Sequence, residues 1–264
     1  MVARRASLAC LAAGRPFVRA AAANLIGASV FLLVGSQAQA KCGDPPRPGV
    51  NWAQCSKAML LLDDRELMGA DFSQARLSSS SFTGARLIGA KLVGAELSFA
   101  KFDGADLSGA SLEKAVGSRA SLTGANLAEA NLVSSDFGRA SFARATMRGA
   151  ILTKSEMIRT DFSGADLAGA DLSKAELARA VMTGANVANA NFSYSNLARA
   201  DLRGLALTGV DLTGAYLYLT NLAGSDLSGA KGLSTEQVHL ACGSAQTKLP
   251  PGIAPPERWR CEDD

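Results

Sequence analysis

One histidine, His239, stands in a chain of 264 residues, and aromatic side chains make up only 6% of it. Proton-transfer catalysis leans on histidine more than on any other residue. With no nucleophile near a base either, an enzyme is the weakest function class and no cofactor is expected. A metal centre is disfavoured for a related reason, because His239 has no partner at ligand spacing. Charge of one sign is scarce as well. The formal +3 includes four arginines in residues 1–40, which hold no acid; without them 23 basic residues face 24 acidic ones, a net of −1. Bulk charge therefore points to no polyanionic partner, and no nucleic acid is expected. Long apolar runs are missing too. The stretch from Leu25 to Val34 falls short of the roughly twenty residues that a membrane helix needs.

What is present is a rhythm of five. A bulky apolar residue recurs at Leu67, Phe72, Leu77, Phe82, Leu87 and onward to Leu222 and Leu227, in 33 consecutive pentapeptides whose phase never slips and of which one, centred on Gly117, lacks a bulky side chain. Two residues before nearly every such centre stands a small residue such as Ala70, Ala75 or Ala85, and the residue between them is often Asp, Asn or Glu. A period of five fits neither a helix nor a flat strand, so neither keeps every centre on one buried side. A chain that turns a corner after each pentapeptide does. Four sides close a square of about twenty residues, and the next square stacks on it at the strand spacing of roughly 4.8 Å.

Segments such as Ala105-Asp106-Leu107-Ser108-Gly109, Ala165-Asp166-Leu167-Ala168-Gly169 and Ala125-Asn126-Leu127 closely resemble the pentapeptide-repeat family with its A(D/N)LXX consensus. The resemblance implies an all-β fold, a right-handed quadrilateral β-helix. About eight coils are expected over residues 60–232, closed by a short C-terminal capping helix. Function is not implied by it, because the family is functionally diverse.

The ends read differently. Arg4, Arg5, Arg15 and Arg19, then the apolar run, then Ala38-Gln39-Ala40 have the order of a secretory signal cleaved after Ala40. The competing reading is a retained membrane anchor; after cleavage no transmembrane segment is expected. Cys42, Cys55, Cys242 and Cys261 then form an even set, which in an exported chain favours disulfides. Of three pairings, Cys42 with Cys55 and Cys242 with Cys261 are preferred, because about 40 Å of stacked coils separates the two ends. Residues 41–59, with Pro45, Pro46, Pro48 and Trp52, read as a disulfide-stapled lid. Trp52, Met59, Leu60 and Leu61 are the residues expected to cover the first coil. At the other end Ser234-Thr235-Glu236-Gln237 matches a capping box, so residues 233–264 form a helix cap and a Pro-rich tail, with Val238 and Leu240 on the core.

The surface is read by sorting residues twenty apart. Two corners carry Gly, as at Gly84, Gly104 and Gly124 or Gly69, Gly89 and Gly109, at a position suited to a type II turn. The other two mostly lack Gly, so a different turn is expected there. One of them holds Arg119, Arg139, Arg159, Arg179 and Arg199 in successive coils; the neighbouring corner adds Lys114, Lys154 and Lys174. Asp136, Glu156, Glu176, Asp161 and Asp201 are close enough in sequence to offset the repulsion. The bland interpretation is a charged edge that keeps the solenoid soluble; the functional one is a contact strip for an anionic partner. Gly117 interrupts the centre series, with either a bulge that turns Val116 inward or a neighbouring Phe filling the space. Tyr194, Tyr216, Tyr218 and Leu219 fall outside the centre positions and suggest a partner or homodimer surface.

The sequence thus points to an exported, non-enzymatic structural or interaction protein of the bacterial envelope, periplasmic or secreted, binding an unidentified protein through its outer faces. Two alternatives remain. One is a binder of anionic envelope components through the arginines. The other is the DNA-mimic, topoisomerase-interacting type found in the resembled family, which fits poorly with export and with basic sides.

Overall fold

In a computed structural model, which describes residues 41–259, each pentapeptide from Asn51 onward repeats one local plan. A bridge residue is followed by a centre, two turn residues and an inner residue; the centre is apolar in almost every unit, Lys57 and Gly117 excepted, and the inner residue is mostly small. The small residue's N–H closes the turn on the centre's carbonyl, as Ala75 does on Phe72 at 2.9 Å. The bridge residue pairs in parallel with the one twenty positions on: Asn51 with Asp71, Asp71 with Lys91, Lys91 with Ser111. Only one residue per side makes this pairing, so the sides are isolated bridges rather than long strands.

Centres and small residues point inward and are buried, Leu67, Ala70, Phe72 and Ala75 completely. Phe82 stacks on Phe102 at 4.8 Å and Phe142 on Phe162 at 5.4 Å, so aromatic rings fill neighbouring levels of one column. Each buried Leu or Phe contributes about 1.5–3 kcal/mol. The few inward hydroxyls are satisfied: Ser135, Ser155 and Ser195 donate to the carbonyls of Leu132, Leu152 and Phe192.

Backbone accounting explains the Asp and Asn beside the centres. In a typical unit the bridge N–H bonds the coil before (Asp71 to Val50), and the centre and second turn residue bond the coil after (Phe72 to Lys91, Gln74 to Val93). One N–H is left, that of the first turn residue. The side-chain oxygen two residues earlier accepts it: Asp71 from Ser73 at 3.0 Å, Asn131 from Val133 at 3.0 Å, Asp161 from Ser163 at 2.9 Å. Glu is one methylene too long for this. Glu96, Glu66 and Glu176 instead reach across coils to Arg76, Arg86 and Asn196.

The expectation of a different turn at the Gly-poor corners is overturned. Arg119, Arg139, Arg159, Arg179 and Arg199 have φ of 59°, 61°, 59°, 61° and 56°, as positive as Gly84 at 66° and Gly104 at 65°. All four corners must rotate the chain alike to keep the twenty-residue register, and that requirement overrides residue preference.

The question at Gly117 is also answered. A Cβ there would lie 2.1 Å from Cε1 of Phe137, the centre one coil on, and Val116 stays exposed. The neighbouring Phe fills the space, and no bulge is needed.

At the amino end the register reaches back to Asn51, so Trp52 occupies a centre position and Cys55 a small-residue position. Trp52 is buried, meets Phe72 edge-on at 5.8 Å and donates its indole N–H to the Asp44 carbonyl at 3.1 Å. Cys42 and Cys55 are disulfide-bonded with Cα atoms 5.6 Å apart. Leu60 packs partly on the core, but Met59 and Leu61 are 76% and 80% exposed and cover nothing. They fall at a corner and a bridge position, both of which face outward. The N–H groups of Ser56, Leu61 and Glu66 find no acceptor among the described residues, which hold no earlier coil.

The carboxyl end is closed. A helix, Thr235–Leu240, starts at the N-cap Ser234 with both arms of the capping box formed. The Gln237 side chain also donates to the carbonyls of Leu212 and Ala215 at 2.8 Å each. Val238 is buried, Leu240 half-buried, and His239 exposed. Beyond the helix, Cys242 and Lys248 bridge to Asn221 and Asp226, and Trp259 lies against Gly243. Cys242 is disulfide-bonded; its expected partner Cys261 and the secretory signal of residues 1–40 lie outside the described residues. Among the described residues no helix is long and apolar enough to cross a membrane.

Candidate functional site

The interior is filled, so the outward-facing columns are the surface that the solenoid presents. The five arginines form a continuous column because the backbone sets it. Each N–H in turn (Arg119, Arg139, Arg159, Arg179, Arg199) bonds a carbonyl in the next coil, those of Gly138, Ile158, Ala178, Ala198 and Tyr218, at 2.8–3.1 Å. All five side chains are exposed. The Arg119 guanidinium sits 5.7 Å from the Phe99 ring, a cation–π contact with the residue below it in the column.

The carboxylates expected to neutralise this column do not do so. Among the described residues no ion pair reaches Arg119, Arg139, Arg159 or Arg179. Asp136 and Asp161 accept the N–H groups of Gly138 and Ser163, Glu176 accepts from Asn196, and Asp201 pairs with Arg203 at 2.5 Å. That last pairing raises the Arg203 pKa, through the hydrogen bond first and then the charge. Arginines elsewhere do find partners: Arg76 with Glu96, Arg86 with Glu66, Arg148 with Asp166. Arg199 is also engaged. On the neighbouring corner Lys114 pairs with Glu113 at 3.0 Å.

A feature that the sequence reading passed over lies beside the arginines. The first turn position of the same corner holds Ser118, Gly138, Ile158, Ala178, Ala198 and Tyr218. A dent lined by Ser118, Arg119, Gly138, Arg139 and Ile158 opens where Gly138 lacks a side chain. Sorting by twenty would have found this small-residue column. Tyr216 and Tyr218 end it with parallel rings 6.1 Å apart. Tyr194 stands on the next corner, 63% exposed, its ring over Gly214, and Leu219 is half-buried, its N–H on the carbonyl of Leu240 at the end of the helix.

Chemically, unpaired guanidiniums repeated at roughly 4.8 Å can hold oxyanions or carboxylates. Among the described residues no group of three or more His, Cys, Asp or Glu is placed to hold a metal ion.

Fold and surface together define a β-solenoid with a packed interior and outward-facing side-chain columns. The chain belongs to the pentapeptide-repeat family: the family profile, pentapeptide repeats, matches in eight copies over residues 66–98, 80–116, 100–139, 120–157, 160–194 and 195–231. Among solved structures it is similar to HetL, a pentapeptide repeat protein involved in heterocyst differentiation regulation in Nostoc sp. strain PCC 7120. The two are 30% identical over 72% of this chain and 92% of that one, with a TM-score of 0.38. A trypsin-treated variant of QnrB1, a plasmid-mediated fluoroquinolone resistance protein, is 18% identical over 72% and 92% of the two chains, with a TM-score of 0.48. A pentapeptide repeat protein of the Arabidopsis thaliana thylakoid lumen is 26% identical over 47% and 81%, with a TM-score of 0.31. No curated protein matches the chain.

Proposed function

We propose that this chain is a non-enzymatic structural or protein-interaction solenoid of the bacterial periplasm or envelope, exported by its first 40 residues and contacting a partner through its outer faces. The observation that carries the reading is the column Arg119, Arg139, Arg159 and Arg179, exposed and without ion pairs among the described residues while nearby acids are committed to backbone and neighbours. A surface that only needed solubility would gain by pairing these charges locally. Left open, they suit an acidic protein surface or an anionic envelope component.

The test is a pull-down from periplasm with the tagged chain beside a variant carrying Arg139→Gln, Arg159→Gln and Arg179→Gln, together with retention on anionic vesicles. Envelope proteins captured by the parent and lost with the variant support the protein-binding reading. Vesicle retention lost in the same way favours the anionic component. Recovery of a topoisomerase from cytosol, with no envelope protein captured, would replace both with the DNA-mimic reading.

A further inference from the structure

The side that carries the arginines has three parallel columns, each one coil per step. Its bridge positions are Asp136, Glu156 and Glu176, paired in succession through the parallel bridges. Two residues on is the spine of Gly138, Ile158 and Ala178, continued by Ala198 and Tyr218. One residue further are Arg139, Arg159 and Arg179. An acidic rail and a basic rail therefore flank a spine of mostly small residues, with Ile158 42% exposed at its middle and Tyr218 at its end.

We infer that this side pairs with the same side of a second copy, about a two-fold axis that runs along the spine. Rotation about that axis exchanges left and right without changing height. It sets Arg139 against Asp136 of the other copy, Arg159 against Glu156 and Arg179 against Glu176, and the reverse, so three pairings appear twice. A two-fold axis across the spine would instead set arginine on arginine. The charge pattern selects one symmetry, and an isologous contact of this kind closes on itself. Gly138, Ala178 and Ala198 let the two backbones approach, while Ile158 and Tyr218 meet their own counterparts on the axis as apolar anchors. The dent over Gly138 leaves room for the Ile158 side chains to offset. Arg139, Arg159 and Arg179 have no ion pair among the described residues of their own chain, and the pairing supplies one from the second copy. The strip is narrow and about 24 Å long from Arg119 to Leu219, five coil steps, so the association is reversible and salt-sensitive.

The inference rests on the reading of this corner as a contact strip, and it names the contact. Sedimentation velocity of the purified chain at high micromolar concentration and low salt is expected to show a dimer that dissociates as salt rises. One variant, Arg139→Glu with Arg159→Glu and Arg179→Glu, makes both rails acidic. A second, Glu156→Lys with Glu176→Lys, makes both largely basic. Each alone should be monomeric, and an equimolar mixture should recover a heterodimer. A monomeric parent, variants that dimerise as the parent does, or a mixture that stays monomeric would each overturn the pairing. The envelope pull-down separates the two proposals: a monomeric parent that still captures envelope proteins sinks only the dimer, and a dimer that captures none sinks only the external partner.

Discussion

The ring of Phe137 occupies the volume that a side chain at Gly117 would need. Their relation is one of levels: the two are successive centres in one column, and the larger fills the layer of the smaller.

From this follows an ordered pair of stability changes. Gly117→Ala forces a methyl into the ring and should cost about 1–3 kcal/mol as overpacking. Combining Gly117→Leu with Phe137→Ala returns one large side chain to the two levels and should recover much of that loss. Urea midpoints of Gly117→Leu, Phe137→Ala and the double variant measure it, and a double variant no better than its worse parent would show that the levels do not exchange volume.

The corners make a second, opposite-signed pair. Gly104 has open space around its missing Cβ, so Gly104→Ala should cost only the backbone term for a positive φ, about 1 kcal/mol. Arg159 already bears that term, so Arg159→Gly should leave the melting temperature unchanged or raise it slightly, since relief of strain offsets glycine's extra entropy loss. Thermal unfolding of both would check the signs.

Acid should loosen the molecule in a defined window. Asp226 is held down to about 2, from 3.8, by the Ser228 hydroxyl, then Lys248, then the Ser228 N–H. Asp211 is lowered by the Thr213 hydroxyl and N–H; in Asp171 burial works upward but is outweighed by Ser173, Thr153 and Asn191. A folded carboxyl with a depressed pKa means that the unfolded chain binds more protons between about 4 and 2. Its stabilisation is complete above that window and is lost as pH falls through it. Melting temperature should therefore decline below about pH 4, and Asp226→Asn should flatten part of that decline.

Gln237 ties the helix to the last coil. Gln237→Ala removes one arm of the capping box and leaves the carbonyls of Leu212 and Ala215 without their donor, for a loss of about 1–3 kcal/mol. Hydrogen exchange should speed up in the last coil and the helix while the middle coils stay protected.

Much of this was legible because a strict period converts directly into position. Leu67 through Leu227 lie inward, Ser234 caps a helix, and Cys42 joins Cys55, as spacing and residue type indicate. The failures share a cause. Turn preference suggested another conformation at Arg139 and Arg159, but stacking imposes one rotation on every corner. Adjacency in sequence suggested that Asp136 and Asp161 would neutralise those arginines, but one oxygen of each accepts the first turn N–H, left without a backbone acceptor, and no ion pair among the described residues joins Arg139 or Arg159 to the other. Apolar character suggested that Met59 and Leu61 would seal the first coil. Phase decides instead, and both fall on outward beats.

The two ends of the solenoid are unlike. Helix, Gln237 and tail occupy one, whereas at the other the N–H groups of Ser56, Leu61 and Glu66 find no acceptor among the described residues. Endless fibres would require each terminus to accept the next molecule, as in a stack of trays. A lid on the carboxyl terminus makes this tray the last in any pile at that end.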